Sequence, residues 1–439
     1  MLVGRLASAY RRGLLYRRSL GWRRFALRLL RVWQWAPRLL HAPWQPSARD
    51  RARGAALDGS LPFGVNLCGY VSSETGLGEA ARQAARALEA AGLPFVLNDL
   101  RMTDVANNEL PPVLPSDANP YAFNWFCVNI ADADFVAWER GRDYFRGRYN
   151  IGYWAWEMPQ FPAEWQAGFA YYDEVWVPSN FVLRSLAAVA PVPVVRVPYV
   201  VPPPETEGPG RPAAVSRADL GIGDDTFVFL FMFHFFSLFE RKNPLGLIQA
   251  FKRAFPGRED VALVIKSAGG NNARGLAEMQ RAAEGAQVVI FDKVLDRAAV
   301  NDLYGICDCY ASLHRAEGFG LTLAEAMRAG KPVIATAYGG NCDFMDASNS
   351  YPVPARLTSL PADLGPYKKG WTWAEPDLEA AAEAMRRVYE DRDAAAALAA
   401  RGRADVARLL SPESVGRLIK DRLEAIARAR RLDGGPSGR

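Results

Sequence analysis

The sequence predicts an α/β protein with two Rossmann-like, doubly wound domains that face a cleft, preceded by a basic helical extension. Its 439 residues are enough for about two domains, each able to bury its own core. Short apolar segments typical of buried strands alternate with longer segments of helical periodicity, and the alternation restarts after a Pro/Glu/Gly-rich stretch at residues 202–211. Such alternation favours parallel sheets covered by helices.

The composition is ordinary for a globular protein, with half of the residues hydrophobic and 23% charged. The five cysteines are odd in number and scattered, which favours reduced thiols over a disulfide framework. Three histidines are too few for a His-rich metal site. No apolar run reaches transmembrane length, and arginines interrupt every candidate signal segment, so we expect a cytoplasmic protein.

The predicted organisation has six parts. They are the basic extension, the N-terminal domain, a linker, the C-terminal domain, C-terminal helices that we expect to pack back on the N-terminal domain, and a disordered tail. In that order the boundaries are residues 1–57, 58–205, 206–217, 218–395, 396–432 and 433–439.

The extension contains most of the excess positive charge. Between residues 14 and 36, Trp22, Phe25 and Trp33 share one face of a predicted amphipathic helix, with arginines opposite. Arginine and tryptophan on such a helix suit an anionic membrane surface, which we expect residues 10–40 to bind. The alternatives are a helix packed on the protein's own surface and a partly disordered tail.

The N-terminal domain begins with a strand, a glycine-containing turn (residues 72–78) that holds Gly76 and Gly78, and a helix from about residue 79 to residue 91. The strands predicted here are residues 64–70, 123–130, 149–154, 174–178 and 193–198.

The C-terminal domain repeats the alternation. The strands predicted here are residues 226–233, 261–267, 287–291, 309–313 and 332–336. The helices predicted between and after them are residues 244–254, 298–307, 321–329 and 376–390, followed by Ala- and Arg-rich helices to about residue 431.

A strand, a glycine-containing loop and a helix beginning at Leu321 carry the most informative motif. A helix N-terminus offers unpaired N–H groups and the positive end of a dipole, which makes it a phosphate site. Gly318 and Gly320 let the backbone approach a ligand closely. Glu317 lies in the loop, where it can reach hydroxyls beside the phosphate, and Glu325 lies one turn into the helix, where it can bind a ribose diol.

The arrangement of Glu317, seven residues and Glu325 resembles the donor-site signature of the family-4 retaining glycosyltransferases, and Gly339-Gly340 is similar to a turn of that family. The resemblance implies a GT-B fold, retention of anomeric configuration and no need for a metal. It also implies that Glu317 contacts the donor sugar and Glu325 the ribose of a nucleotide-sugar. The loop residues that it assigns to donor binding are Gly318, Phe319, Gly320 and Leu321. The alternative is an unrelated Rossmann helix with two chance glutamates.

Arg241 and Lys242 stand just before a predicted helix. In the resembled family a lysine here and an arginine six residues earlier hold the diphosphate. Lys242 matches the lysine, whereas Phe236 occupies the arginine position, and Arg241 is the candidate substitute. The alternative is a solvated basic helix start.

Two further residues are candidate donor ligands. Lys266 ends a predicted strand and is a secondary phosphate ligand or a surface lysine. His314 ends the strand before Glu317 and either contacts the donor or caps that strand.

In the N-terminal domain the resemblance places the loop of Gly76 and Gly78 near the donor phosphates; the alternative is a plain strand-to-helix turn. Glu157 follows Trp156 at the end of a predicted strand, where relatives carry a histidine near the reacting sugar. Aromatic groups beside a carboxylate suit sugar binding, so Glu157 is expected to orient the acceptor or the donor sugar. The alternative is a buried carboxylate satisfied by backbone.

The resulting expectation is a retaining, metal-independent hexosyltransferase of the bacterial surface-polysaccharide branch, with an acceptor-side N-terminal domain. It would use a GDP- or UDP-sugar as co-substrate, a lipid-linked or polysaccharide acceptor, and no other cofactor. No nucleic acid partner is expected, and the enzyme would sit peripherally on the inner face of the plasma membrane. The rivals are a catalytically inactive glycosyltransferase-like scaffold and another GT-B enzyme, such as a nucleotide-sugar epimerase.

Overall fold

The computed structural model describes residues 60–73, 75–100, 111–204, 213–269 and 272–433. The basic extension, most of the predicted linker and the predicted tail after residue 433 lie outside the described residues, and so does the predicted membrane contact of residues 10–40. Within the described ranges, no helix is both long enough and apolar enough to cross a membrane.

The N-terminal domain contains a six-stranded parallel sheet in the order β2-β1-β3-β4-β5-β6. The strands are β1 Val65–Gly69, β2 Phe95–Asp99, β3 Phe123–Cys127, β4 Tyr149–Tyr153, β5 Glu174–Val177 and β6 Val194–Arg196. The sequence prediction missed β2, a half-buried edge strand whose polar end (Asn98 and Asp99) breaks the apolar pattern.

The C-terminal domain contains a second six-stranded parallel sheet, in the order β12-β11-β10-β7-β8-β9. Its strands are β7 Phe227–Met232, β8 Val261–Ser267, β9 Val288–Asp292, β10 Cys309–Ser312, β11 Val333–Thr336 and β12 Tyr351–Val353. The prediction missed β12, an edge strand that tolerates Pro352 because only one of its sides pairs. The two sheets confirm the predicted α/β class with two Rossmann-like domains.

Helices connect the strands and cover both sheets. In the N-terminal domain they are α1 Gly76–Ala90, α2 Ala133–Arg140, α3 Arg142–Phe145 and α4 Asn180–Ala187. In the C-terminal domain they are α5 Phe239–Lys242, α6 Pro244–Ala254, α7 Ala273–Ala283, α8 Arg297–Ile306, α9 Leu321–Arg328 and α10 Leu378–Glu390. The described residues end with α11 Arg392–Leu410 and α12 Pro412–Asp433.

Capping side chains account for two differences from the predicted helix starts. Helix α1 begins three residues early, at Gly76, because the Thr75 hydroxyl accepts a hydrogen bond from the Gly78 amide at 3.1 Å. Helix α10 begins two residues later than predicted, at Leu378. The Asp377 carboxylate caps it by accepting hydrogen bonds from the amides of Glu379 and Ala380.

Helix α12 packs against α1, and its apolar face joins the core of the N-terminal sheet through Val415, Ile419 and Leu423. Arg422 on the same helix pairs with Glu174, a fully buried carboxylate at the start of β5. The last helix of the chain is therefore part of the N-terminal domain's core.

A hairpin arm (residues 355–376) was absent from the sequence prediction. It consists of two antiparallel strands, β13 Ala355–Ser359 and β14 Thr372–Pro376, and a tip between them. The tip leaves the C-terminal domain and buries Leu360 and Tyr367 in the aromatic core of the N-terminal domain. Its residues show no strand-like alternation, because they are ordered by contacts with a distant segment rather than by local periodicity.

Removing the partner of Glu174 is expected to destabilise the fold strongly. In Arg422→Ala the carboxylate keeps the Tyr149 hydroxyl and the Trp176 ring N–H, at 3.1 and 2.6 Å, but loses its Arg422 partner. An unpaired buried charge of this kind costs about 3 kcal/mol or more, which lowers the thermal midpoint of a 439-residue chain by at least about 3 °C. Thermal unfolding measures this. The control is Arg417→Ala on the exposed face of α12, and equal midpoints for the two variants would contradict the prediction.

Asp173 is expected to make stability depend on pH. Burial raises the pKa of its carboxyl to about 6 from an ordinary 3.8, although the Asn150 amide opposes the shift. Because the folded-state pKa is raised, the stabilisation is present below about pH 4 and is lost as the pH rises through about 6. Asp173→Asn keeps an acceptor for the Asn150 amide and removes the titration.

The thermal midpoint of Asp173→Asn, relative to the unsubstituted protein, should therefore rise between pH 4.5 and pH 7.5, by an amount equivalent to about 1–3 kcal/mol. Asp421→Asn, at an exposed position on α12, is the control. A difference for Asp173→Asn that does not change with pH would refute this account.

Candidate active site in the interdomain cleft

The carboxyl ends of strands from both sheets meet at the domain interface. In doubly wound folds this edge carries the ligand site, because the loops there are free to vary. Contacts between the domains close around it: the Ser179 hydroxyl donates to the Gly318 carbonyl at 2.6 Å, and the Asn180 amide donates to Asp343 at 2.8 Å. The loop after β10 is thus held between both domains.

A one-turn helix, α5, aims Arg241 and Lys242 at this edge. It lies between two non-glycine residues with positive φ, Leu238 at 64° and Asn243 at 53°. The Asn243 side chain anchors the turn by donating to the Leu313 carbonyl at 2.8 Å and accepting from the first turn of α6. Positive φ costs free energy for such residues, so the surrounding contacts impose this geometry.

Glu317 is the centre of the cluster. Its carboxylate lies 2.5 Å from the Lys242 ammonium and 3.5 Å from the Arg241 guanidinium. Burial alone raises the pKa of Glu317, but attraction to the two cations outweighs it and lowers the pKa to about 2. Burial also lowers the pKa of Lys242, and attraction to Glu317 offsets part of that shift. The carboxylate is therefore charged throughout the physiological pH range.

The structure places Arg241 underneath the site rather than at its surface. The residue is 3% exposed, and its guanidinium donates to the backbone carbonyls of Ser237 and Ala316. It also lies 3.8 Å from Glu157. This placement favours orientation of the two carboxylates over direct contact with a phosphate. The position of the family's arginine carries Phe236, whose ring is 66% exposed.

Glu157 reaches the cluster from the N-terminal domain, after β4. Besides facing Arg241, it accepts a hydrogen bond from the Tyr367 hydroxyl at 3.0 Å. Tyr367 belongs to the tip of the hairpin arm and packs edge-on against Trp156. Sequence reasoning missed Tyr367, because no local pattern connects it with a carboxylate 210 residues away.

The two glycines of the loop, Gly318 and Gly320, are needed first for packing and backbone conformation. A Cβ at Gly318 would lie 2.6 Å from the Trp156 carbonyl of the other domain. Gly320 has φ of 90° and is the N-cap of α9. The prediction that these glycines admit a ligand is untested, whereas the close approach at Gly318 is to protein backbone.

Helix α9 begins at Leu321, and its N-cap residue, Gly320, supplies no side-chain cap for the amides of the first turn. Leu321 is half-buried, and Phe319 is buried against Tyr199 and Phe344. Phe319 therefore contributes to the contact between the domains. The uncapped helix start beside Glu317 and Lys242 is suited to an anionic group.

Glu325 is already paired in this structure. One carboxylate oxygen accepts from Arg297 at 2.8 Å and the other from the Tyr304 hydroxyl at 3.0 Å. Both partners lie on α8 and were missed. A sequence signal existed for Arg297, since it follows the N-cap Asp296 at the start of a helix, where a cation is disfavoured.

Lys266 and His234 lie where β8 and β7 end. Lys266 is half-buried, and burial lowers its pKa. The ring of His234, another residue missed by the prediction, accepts from the Phe236 amide at 3.1 Å. His314 is fully buried, with its ring nitrogens 3.2 Å from the Ser312 hydroxyl and 2.9 Å from the Tyr338 carbonyl. These two contacts indicate that His314 supports the loop that holds Glu317.

On the opposite side of the cleft, Gly76 starts α1 and has open space around its α-carbon. Gly78 lies so close to the Ser73 carbonyl that a Cβ would be 2.2 Å from it. Among the residues that the structure describes, no group of three or more His, Cys, Asp or Glu side chains could hold a metal ion. The predicted independence from metal remains a prediction.

Comparison with known proteins points to one family. Residues 214–405 match the model of the family Glycosyl transferases group 1. Over 146 residues the chain is 28% identical to the lipopolysaccharide core biosynthesis mannosyltransferase LpsB of Rhizobium meliloti (strain 1021), covering 33% of this chain and 37% of that protein. Over 144 residues it is 31% identical to a D-inositol 3-phosphate glycosyltransferase of Kribbella flavida, covering 31% of this chain and 33% of that protein. The matches thus span about a third of the length of these relatives.

Solved structures resemble nearly the whole described fold. A glycosyltransferase from Rickettsia africae ESF-5 aligns with a TM-score of 0.59 at 16% identity, covering 83% of this chain and 98% of that one. The Anabaena protein HepE in complex with UDP and glucose aligns with a TM-score of 0.56 at 15% identity, covering 83% and 100%. At this identity the likeness shows the fold, which is GT-B as predicted.

The close approach at Gly318 leads to a prediction about closure. Gly318→Ala places a methyl group against the Trp156 carbonyl, which must move the loop or separate the domains. We expect a lower thermal midpoint and a larger radius of gyration by small-angle scattering. Gly305→Ala is the matched control: it lies in α8 with nothing within 4 Å of the added carbon, so it should stabilise the protein by about 0.5–1 kcal/mol. Equal effects of the two variants would rule out this role for Gly318.

Proposed function

We propose that this chain, whose residues 214–405 match the model of the Glycosyl transferases group 1 family, transfers a hexose-type sugar from a nucleoside diphosphate sugar to an acceptor hydroxyl. The observation that carries the proposal is the charged Glu317 held 2.5 Å from Lys242, directly beside the uncapped start of α9. This places a carboxylate that can accept sugar hydroxyls next to groups that can bind a diphosphate.

The reaction forms a bond between the sugar's anomeric carbon and the acceptor oxygen and breaks the bond from that carbon to the phosphate oxygen. The acceptor's proton passes to the departing nucleoside diphosphate. Because negative charge grows on the leaving oxygen, fixed positive groups stabilise the transition state. Lys242 and the amides at the start of α9 supply them, with Lys266 as a further cation.

Arg241 acts on the carboxylates. Its guanidinium is tied to two backbone carbonyls and faces both Glu317 and Glu157, so it holds them in a defined relation. Glu317 then contacts the donor sugar, and Glu157 orients the sugar or the acceptor from the opposite domain. Closure of the cleft excludes water from the reacting bond.

The finer identity of the reaction rests on relatives and on the resembled family. The donor is a GDP- or UDP-sugar, for which the UDP bound by Anabaena HepE offers limited support. The acceptor is a lipid-linked or polysaccharide glycan of the bacterial surface, in keeping with the name of LpsB. Retention of configuration and independence from metal are inferred from the resemblance alone, as is the position at the inner membrane through residues 10–40.

The rival is an inactive, glycosyltransferase-like scaffold. The observation that favours it is the pairing of both key carboxylates with protein cations, since Glu317 and Glu325 are already engaged. A scaffold would neither bind a nucleoside diphosphate nor cleave a nucleotide-sugar in the presence of acceptor, so binding and turnover separate the two.

Thermal stabilisation by UDP, GDP, ADP and dTDP tests the donor site. We expect one diphosphate to raise the thermal midpoint, because a ligand that binds only the folded state stabilises it, by about 2.7 kcal/mol at 100 times its dissociation constant. Glu325→Ala and Lys242→Ala should each abolish most of this shift. Glu383→Ala and Lys420→Ala, both at exposed positions, are the matched controls. No shift with any of the four nucleotides would refute the donor site and favour the scaffold.

A further inference from the structure

A second ion cluster bridges the cleft away from Glu317. The Arg297 guanidinium lies 2.8 Å from Glu325 of its own domain and 3.1 Å from Glu79 of the N-terminal domain. It emerges after β9, the edge strand of its sheet, whereas Glu317 follows β10, three strands away.

Helix stability does not explain an arginine at this position. Arg297 is the first residue of α8, where the helix dipole disfavours a positive charge. Attraction to Glu325 raises the pKa of Arg297, against the effect of burial. The side chain is therefore retained by the two carboxylates and not by its own helix.

The contact can open without leaving a buried charge unpaired. Glu79 keeps Arg82 at 2.8 Å and the Gln83 amide at 2.5 Å. Glu325 keeps both Arg297 and the Tyr304 hydroxyl, because these contacts lie within its own domain. Loss of the only charged partner of a buried carboxylate is costly, but separation of Arg297 from Glu79 leaves both carboxylates with a charged partner. The bridge is thus suited to forming and breaking as the domains move.

From Glu79 the cluster continues to the glycine loop. Arg82 donates to the carbonyls of Val71 and Ser73, at 2.9 and 3.1 Å. Glu79 lies in the first turn of α1, immediately after Gly78. An uninterrupted series of charged groups therefore runs from Glu325 through Arg297, Glu79 and Arg82 to the backbone of the loop before α1.

We propose that Arg297 is an interdomain positioning residue, which aligns Glu325 for the ribose hydroxyls of the donor and, through Glu79, docks residues 75–80 (the N-cap and first turn of α1, called the docked loop below) over the bound nucleotide. The proposal rests on the proposed function in one respect, the role of Glu325 as the ribose ligand. A carboxylate offers about four acceptor sites, of which Arg297 and Tyr304 take one on each oxygen. A ribose diol can add one hydrogen bond to each oxygen while the bridge persists.

Donor binding and loop docking are coupled by this arrangement. A diol that binds Glu325 finds the carboxylate already oriented by Arg297, and the same guanidinium reaches Glu79 when the N-terminal domain is close. By linkage, a ligand that favours the aligned Glu325 also favours the docked loop. The first test needs no nucleotide.

Hydrogen exchange of the free protein reports on the docked loop. In Arg297→Ala the amides of residues 75–80 should exchange at least about threefold faster, because their anchor in the other domain is lost. Arg297→Lys should give an intermediate rate, since an ammonium is a point charge that cannot fork between two carboxylates. Arg274→Ala, which breaks the exposed pair with Glu278 on α7, is the control. Unchanged exchange at residues 75–80 in Arg297→Ala would overturn the proposal.

Kinetics with the donor separate the two roles. Arg297→Ala should raise KM and lower kcat, each by about tenfold, a factor that corresponds to about 1.4 kcal/mol. Glu79→Gln should lower kcat with KM changed less than about twofold. In the double variant kcat should equal that of Arg297→Ala, because the contact with Arg297 is already lost and an amide at position 79 can still accept from Arg82. Additive effects on kcat would overturn the coupling.

The outcomes also separate this proposal from the proposed function. If the unsubstituted protein binds none of the nucleotides, the donor site fails, and hydrogen exchange still decides whether Arg297 holds the loop. If nucleotides bind and sugar is transferred, but residues 75–80 exchange equally fast in Arg297→Ala and in the unsubstituted protein, the bridge is only structural.

Discussion

The pairing of Glu317 with Lys242 is the interaction on which the rest of the site depends. A carboxylate buried between two domains is unfavourable unless cations and hydrogen bonds compensate it. Two adjacent cations on one helical turn, Arg241 and Lys242, meet this requirement. Positive φ at Leu238 and Asn243 directs that turn towards Glu317. The strained backbone beside the cluster is thus a consequence of where the charges must lie.

Closure of the two domains is the second consequence. The loop after Glu317 touches Trp156 of the other sheet, and Ser179 donates to the same loop. The hairpin arm adds Tyr367, whose hydroxyl donates to Glu157 and whose ring packs edge-on against Trp156. The site exists only when both domains contribute, so its geometry and the relative position of the domains cannot vary independently. Arg297 extends this dependence to the far side of the cleft.

Much of the fold could be predicted because its signals are local. Helix α6 and strand β8 have the predicted bounds, since Pro244 marks the start of the helix and an apolar run that includes Val261, Val264 and Ile265 marks the strand. The hairpin arm could not be predicted, because its tip is stabilised by aromatic residues of another domain. The same holds for Tyr367 as the partner of Glu157, because the two residues lie 210 positions apart along the chain.

The sequence by itself determined the α/β class, the two domains and the adjacency of Glu317, Glu325 and a helix start, because period and spacing along one segment set these. Only the tertiary structure decided what each charge faces. In the folded protein Arg241 is buried beneath the site and His314 supports the loop that holds Glu317. Arg297 links Glu325 to Glu79. Electrostatic pairing depends on distances of a few ångströms between segments remote in sequence, and folding alone establishes those distances.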